Sequence, residues 1–386
     1  MAAVTGATLG YARYSDAVAE PQPDFVNCFV FAAQEVAAGR SPFSVAGYYY
    51  SPLVALILAP VAHTEWAVEA WTALRIVCGV LACLVAVVAF TPRGAWLRRG
   101  LLTWLALITL LYSWPATLEL WAGQPDLLAI LALAGTALAH ERRARATTGF
   151  LLGLAAAIKS WPAIFLIWLF RRDSRTGLRH WLGVLAAALV AILPALWLGG
   201  WQGVVDMVSG PLRGASQPAL AANSVWGIGR MLFSPGSVGT PLVISPVLHW
   251  LTTGLFALIL LGLGFLSLRR PGDDLIALYN IVFVTILLLP VSHYFYLLYP
   301  LPVLWWWACR VVQYPRSSTG WIVTGLLVVW WVVVFRIAPA GDGFATTTWQ
   351  SLTRIFLASL AAVAASVVGA ASLGGEVAPQ DELTAA

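Results

Sequence analysis

Long apolar runs constrain this chain more than anything else in it. Leu182–Leu198, Val243–Leu268, Leu275–Leu289 and Trp321–Val334 each approach or exceed what a straight helix needs to cross a bilayer core, roughly 20 residues. Only 10% of the 386 residues are charged, against about 25% in a soluble domain. So few charges cannot cover a water-facing surface, but they suffice for a lipid-facing one. Strand-like alternation is absent, which leaves helices as the way to satisfy backbone groups in lipid. Many of the 20 tryptophans, among them Trp66, Trp96, Trp121, Trp181, Trp201 and Trp349, fall at the ends of apolar runs, where interfacial anchors belong.

The net charge of +5 does not imply a nucleic-acid partner. The arginines cluster in short connections: Arg93/Arg98/Arg99, Arg142/Arg143/Arg145, Arg171/Arg172/Arg175/Arg179, Arg269/Arg270 and Arg310/Arg316. Such clusters mark cytoplasmic loops. With all five inside, Val68–Phe90 runs inward, and Leu101–Ser113 and Leu127–Ala139 form a short pair of legs. Thr147–Phe170 starts and ends inside, is too short for two crossings, and is broken by Lys159-Ser160-Trp161-Pro162. It reads as a helical hairpin with its tip at Lys159, since Pro does not continue a helix.

Trp181–Leu198 then runs outward, Val243–Leu268 inward, Leu275–Leu289 outward, Phe295–Arg310 inward, Trp321–Phe335 outward and Leu352–Ala371 inward. Residues 13–50 become a first outer loop, 199–242 a long outer loop and 374–386 a cytoplasmic tail. Pro52–Ala62 is too short to cross. Residues Met1–Ala12 read as the remnant of a longer first helix, not a cleavable leader. The expected fold is an all-α polytopic bundle of roughly ten membrane helices, some short or re-entrant, in one domain spanning 1–386, with a cavity facing the extracytoplasmic side.

On that assignment Asp24, Tyr48–Tyr50, Glu119, Gln124, Lys159, Asn223 and His293 all lie on the outer side or dip in from it. Asp24 can act as a general base or simply cap a helix. Lys159 is the sole lysine. A cation inside a membrane segment is a functional candidate by default, suited to a phosphate, unless it snorkels to the interface. His293 can donate to a phosphate or shuttle a proton, or rest as an interfacial histidine. Asn223 and Trp226 suit sugar hydroxyls and ring faces, Glu119 and Gln124 are open to either reading, and Tyr48–Tyr50 fit an aromatic belt. No cofactor or metal is expected, because no phosphate-binding loop, GxSxG, HExxH or metal-ligand cluster is written in the chain. Its four cysteines form no disulfide framework.

Four short segments occur in a telling order: Asp24-Phe25 followed by Tyr50-Ser51-Pro52-Leu53; Gly123-Gln124-Pro125-Asp126-Leu127-Leu128; Gly153 through Ile158 leading into Lys159-Ser160-Trp161-Pro162; and Leu289-Pro290-Val291-Ser292-His293-Tyr294. In these the chain resembles glycosyltransferase family 87 of the GT-C superfamily. That family includes actinobacterial polyprenyl-phosphate-mannose-dependent α-(1→2)-mannosyltransferases and related arabinofuranosyltransferases.

The resemblance implies a bacterial plasma-membrane enzyme, with a polyprenyl-phosphate sugar as donor, a glycolipid or lipoglycan as acceptor, and membrane lipids around it. It places an aspartate in the first outer loop, here Asp24, as the base of an inverting transfer. Lys159 and His293 are then candidates for the leaving phosphate, and Tyr50, Glu119, Gln124, Asn223, Trp226 and Tyr294 for substrate contacts. It also implies a full first helix ahead of the aspartate. Two rival readings stand beside it: the same scaffold with an arabinofuranosyl donor, and a different class, a transporter or flippase without chemistry. A transporter needs charges along a path through the membrane, whereas here the polar set stops at one side.

Overall fold

The computed structural model describes residues 22–92, 96–171, 177–216, 223–235, 240–269, 273–336 and 349–376. Met1–Ala12, Arg93, Arg172, Arg175, Arg270 and the tail from 377 lie outside these residues. Among the described residues the regular elements are all helical. Among the described residues six helices are long and apolar enough to cross a membrane, and a seventh span arises if one bent pair is counted as a unit. That is fewer than the roughly ten expected with short and re-entrant helices included. The difference lies in pieces such as Arg145–Ile158, whose 14 residues rise about 21 Å, short of the roughly 30 Å core.

The chain divides into two compact units, the first built from residues 1–166 and 175–217, the second from 167–174 and 218–386. In the first, a π-helical turn Phe25–Phe29 leads into α1 (Val30–Ala37), followed by α2 (Pro52–Leu58), α3 (Ala67–Phe90), α4 (Trp96–Leu111), α5 (Trp114–Ala122), α6 (Asp126–Glu141), α7 (Arg145–Ile158) and α8 (Leu178–Ser216). The expected Leu101–Ala139 pair of legs is three helices. α4 and α5 are bent by 59° at Ser113, whose hydroxyl caps α5 by accepting from the Ala116 N–H, with Pro115 inside the first turn. Both are ordinary helix-start chemistry. α5 ends on Gly123 in the left-handed conformation (φ 80°), a common C-terminal cap. A side chain there would strike Phe25, since a Cβ would lie 2.5 Å from the Phe25 Cβ. This turn therefore requires glycine and delivers Gln124 and Asp126 beside the residues around Asp24.

The expected hairpin over 147–170 is present in outline. α7 stops at Lys159, whose backbone is extended, and a 3-10 helix, Trp161–Phe170, follows. α7 and α8 are parallel: Gly149 abuts His180, Gly153 abuts Val184 and Ala187, and Gly183 abuts Ala146 and Phe150. A ten-residue 3-10 segment rises about 20 Å, enough to return the chain from the end of α7 to the level of its start.

The 199–242 segment departs from its expected loop character. α8 breaks at Gly200 (φ 57°, ψ −152°) yet continues to Ser216, and another helix, α9 (Val225–Phe233), follows. Loops of such length seldom stay structureless, and the apolar residues between Trp201 and Val208 support a further helical stretch.

The second unit comprises α9, α10 (Pro246–Arg269), α11 (Asp274–Leu288), a 3-10 turn Tyr294–Leu298, α12 (Leu301–Gln313), α13 (Ser318–Trp331) with a π turn Val332–Arg336, and α14 (Trp349–Glu376). Its core includes α11, buried from Leu275 to Leu287. Polar atoms inside it pair off: Ser366 donates to Asn280 (2.7 Å) and accepts from Trp307 (2.9 Å), and Trp330 donates to Ser359 (3.0 Å).

Candidate functional site

The first unit gathers its polar residues around the Gly123–Asp126 turn. Asp24 heads the Phe25–Phe29 turn but makes no capping bond there, so the capping role does not describe it. Its carboxylate instead accepts a hydrogen bond from the Gln124 amide nitrogen. The Gln124 carbonyl accepts from the Tyr50 hydroxyl (2.5 Å) and from the Lys159 ammonium (3.3 Å). Two donors on that side fix the orientation of the amide: reversed, its NH2 would face an ammonium. Lys159 donates to both Asp126 oxygens (2.7 and 2.9 Å), and its ammonium lies 5.7 Å from the centre of the Tyr50 ring, a cation–π distance.

Burial separates the members of this cluster. Asp126, Gln124 and Lys159 are buried, at 0%, 5% and 4% exposure, while Asp24 is exposed. One carboxylate of the group can thus meet a ligand, and the rest form its support. Packing around the Asp24 carboxyl raises its pKa. The Gln124 hydrogen bond and then the Lys159 charge oppose the rise without cancelling it.

Behind the cluster lies a second buried network that the sequence reading did not anticipate. Arg75, fully buried in α3, donates to the Glu119 and Leu120 carbonyls (3.1 and 3.2 Å) at the end of α5, and to the Gln22 side-chain oxygen (2.8 Å). It also pairs with the buried Glu119 carboxylate at 3.7 Å. Gln22 donates to Thr72 (2.7 Å), Trp71 donates to the Gly123 carbonyl (2.8 Å), and Phe25 stacks on Trp71. Glu119 is therefore buried in an ion pair. The signal for Arg75 was available: a lone arginine nine residues into an apolar helix. Asp126 stood in the quoted Gly123–Leu128 segment but was not singled out.

In the second unit, His293 precedes the Tyr294–Leu298 turn, with its ring stacked on Phe295 and edge-on to Tyr296. The Asn223 backbone N–H donates to the Ser292 carbonyl (2.9 Å), which brings the expected Asn223 and His293 segments together. Trp226 donates to the Leu288 carbonyl (2.9 Å). The Asn223 side-chain oxygen and the hydroxyls of Ser224, Ser292 and Tyr294 are buried without a hydrogen-bond partner. Most buried polar groups are satisfied, so four unsatisfied ones on two adjoining segments mark this place.

A chain with six or seven helices able to span a bilayer among its described residues is a multi-pass membrane protein. The chain belongs to glycosyltransferase family 87, whose model matches residues 48–291, which makes it a membrane glycosyltransferase of the GT-C type. The match takes in Tyr50, Glu119, Gln124, Asp126, Lys159 and Asn223, while Asp24 lies ahead of it and His293 just beyond. The chain is also similar to the polyprenol-phosphate-mannose-dependent alpha-(1-2)-phosphatidylinositol mannoside mannosyltransferase of Mycolicibacterium smegmatis. The two are 27% identical over 332 residues, which cover 79% of this chain and 71% of that relative.

Proposed function

We propose that this protein transfers mannose, with inversion, from polyprenyl phosphate to a hydroxyl of a phosphatidylinositol-mannoside-like glycolipid or a lipoglycan, at the extracytoplasmic face of the plasma membrane. Asp24 is the base. The acceptor oxygen attacks the anomeric carbon, its proton passes to the Asp24 carboxylate, the bond from that carbon to the phosphate oxygen breaks, and polyprenyl phosphate leaves. The carrying observation is the exposed Asp24 carboxylate, held by Gln124 on a buried scaffold. A base must be oriented as well as ionised, and a side chain tied by one fixed amide meets the first requirement.

Lys159 supports this reading in a way that differs from its expected role at the phosphate. Its hydrogen bonds run to Asp126 and Gln124, so it acts by fixing Gln124 and, through it, Asp24. His293 remains the candidate for the developing negative charge on the phosphate, where a positioned donor is most effective. The unsatisfied Asn223, Ser224, Ser292 and Tyr294 groups are candidates for sugar hydroxyls, which would complete their bonding. The similarity to a mannosyltransferase favours mannose over an arabinofuranosyl donor.

The test is Asp24→Asn assayed with labelled polyprenyl-phosphate mannose in membranes. Loss of a general base lowers the rate by about 10²–10⁴, with the protein still present at wild-type level. Retention of full transfer by this variant excludes Asp24 as the base.

A further inference from the structure

Arg75 is a costly residue to place where it stands. It lies inside α3, a helix long and apolar enough to cross the membrane, and it is fully buried. A charge withdrawn from water there carries a large desolvation penalty. A hydrophobic side chain fills such a space without that penalty, so the packing of α3 does not call for an arginine. What arginine adds is a planar fork of five donors in fixed directions.

Those directions converge on the Asp24 cluster from behind. Nη1 donates to the Glu119 and Leu120 carbonyls (3.1 and 3.2 Å), while Nη2 donates to the Gln22 side-chain oxygen (2.8 Å) and the Thr72 hydroxyl (3.3 Å). The Glu119 carbonyl also accepts the backbone N–H groups of Gly123 (3.1 Å) and Gln124 (3.3 Å). It is thus the anchor of the turn that presents Gln124. Gln22 stands two residues ahead of Asp24, and its own carbonyl accepts the Val26 N–H (2.8 Å) across the turn that contains Asp24. One arm of the fork therefore holds the segment bearing Gln124, and the other holds the segment bearing Asp24, 100 residues away in the chain. Trp71, one turn earlier in α3, grips the same two segments again: it donates to the Gly123 carbonyl (2.8 Å) and stacks on Phe25. The Glu119 carboxylate, 3.7 Å from Nη1, offsets the charge of the fork.

We propose that Arg75 is a positioning residue for the transfer, which sets the alignment of the Asp24 carboxylate with the Gln124 amide. The inference rests on the reading of Asp24 as the base. Full burial keeps Arg75 itself away from substrate, so it acts on the rate through Asp24 and not on donor binding. Loosening either arm leaves Asp24 and Gln124 present but lets them turn away from one another. A misplacement of about 1 Å in a reacting group costs up to about 10²-fold in rate.

The experiment uses the full-length protein in membranes. Labelled polyprenyl-phosphate mannose is varied at a fixed level of phosphatidylinositol mannoside acceptor, and rates are expressed per folded protein. Gln22→Leu cuts the arm toward Asp24 and leaves the ion pair and both carbonyl contacts of Arg75 in place. Its kcat should fall by about 10–100-fold, with KM for the donor within about twofold of wild type. Arg75→Lys keeps a charge opposite Glu119 but donates from a single point, and it should lose kcat in the same way. Should it not fold, Gln22→Leu decides alone. Asp24→Asn then locates the effect. Residues that act as a unit are not additive, so adding Gln22→Leu to Asp24→Asn should lower the residual rate no further. Losses that multiply in the double variant overturn the proposal while leaving Asp24 as the base. Wild-type kcat in Gln22→Leu or in folded Arg75→Lys overturns it as well, as does a raised KM with kcat unchanged. Full transfer by Asp24→Asn alone removes the base, and the proposal with it.

Discussion

At the residue scale, Gln124 connects an accessible acid to a buried base. Its amide links Asp24 to Lys159, and Lys159 in turn neutralises Asp126. As the proposed base, Asp24 accepts a proton only when ionised, and the packing around its carboxyl raises its pKa against the two opposing effects. Transfer should therefore decline as pH falls through that raised value. Gln124→Leu removes a bond that favours the charged form, so the acid limb of the pH–rate profile should move to still higher pH. An unmoved limb would show that another group titrates. Lys159→Met poses a different question, since it removes the ammonium from which both buried Asp126 oxygens accept, at an expected cost of about 3–5 kcal/mol. The double variant Lys159→Met/Asp126→Leu should recover most of the lost thermal stability. It should remain poor in transfer, because Gln124 has lost one of the two donors that fix it. Recovery of both stability and transfer would reduce Lys159 to a packing role.

At the level of elements, glycines decide how α7 and α8 meet. Gly183→Ala places a methyl group against the Ala146 carbonyl and the Phe150 nitrogen. Because these are backbone atoms, the helices must separate, at an expected cost of about 1–3 kcal/mol. Gly262→Ala in α10 meets nothing within 4 Å, and it should stabilise that helix by up to about 1 kcal/mol. A thermal unfolding comparison of the two variants in one detergent separates close packing from helix propensity. Equal Tm values would contradict the packing. These glycines looked unremarkable in an Ala/Leu-rich sequence, because only the facing helix reveals that a side chain has no room.

For the molecule as a whole, the sidedness read from arginine clusters can be tested directly. The four native cysteines are all buried, so an introduced thiol reports its own position. Ser44 is exposed between α1 and α2, and Arg98 is exposed in the first turn of α4. In intact cells a membrane-impermeant maleimide should label Ser44→Cys and should reach Arg98→Cys only after permeabilisation. The reverse pattern would invert the topology and put the Asp24 cluster on the cytoplasmic side.

Charge scarcity and apolar run length determined that the chain lies in a membrane as helices, since backbone in lipid has few other solutions. The broken segment at Lys159 was legible for a similar local reason: Pro162 cannot continue a helix. The span count was less legible, because composition marks a segment as apolar without saying whether it crosses, bends or stops short, as α4, α5 and α7 show. The partners of the ionisable groups belonged to the tertiary structure alone. Asp24 and Gln124 are 100 residues apart, Lys159 and Asp126 are 33 apart, and Arg75 and Gln22 are 53 apart. Local sequence rules reach only a few positions along a helix, so pairings of that range are decided by how the helices pack.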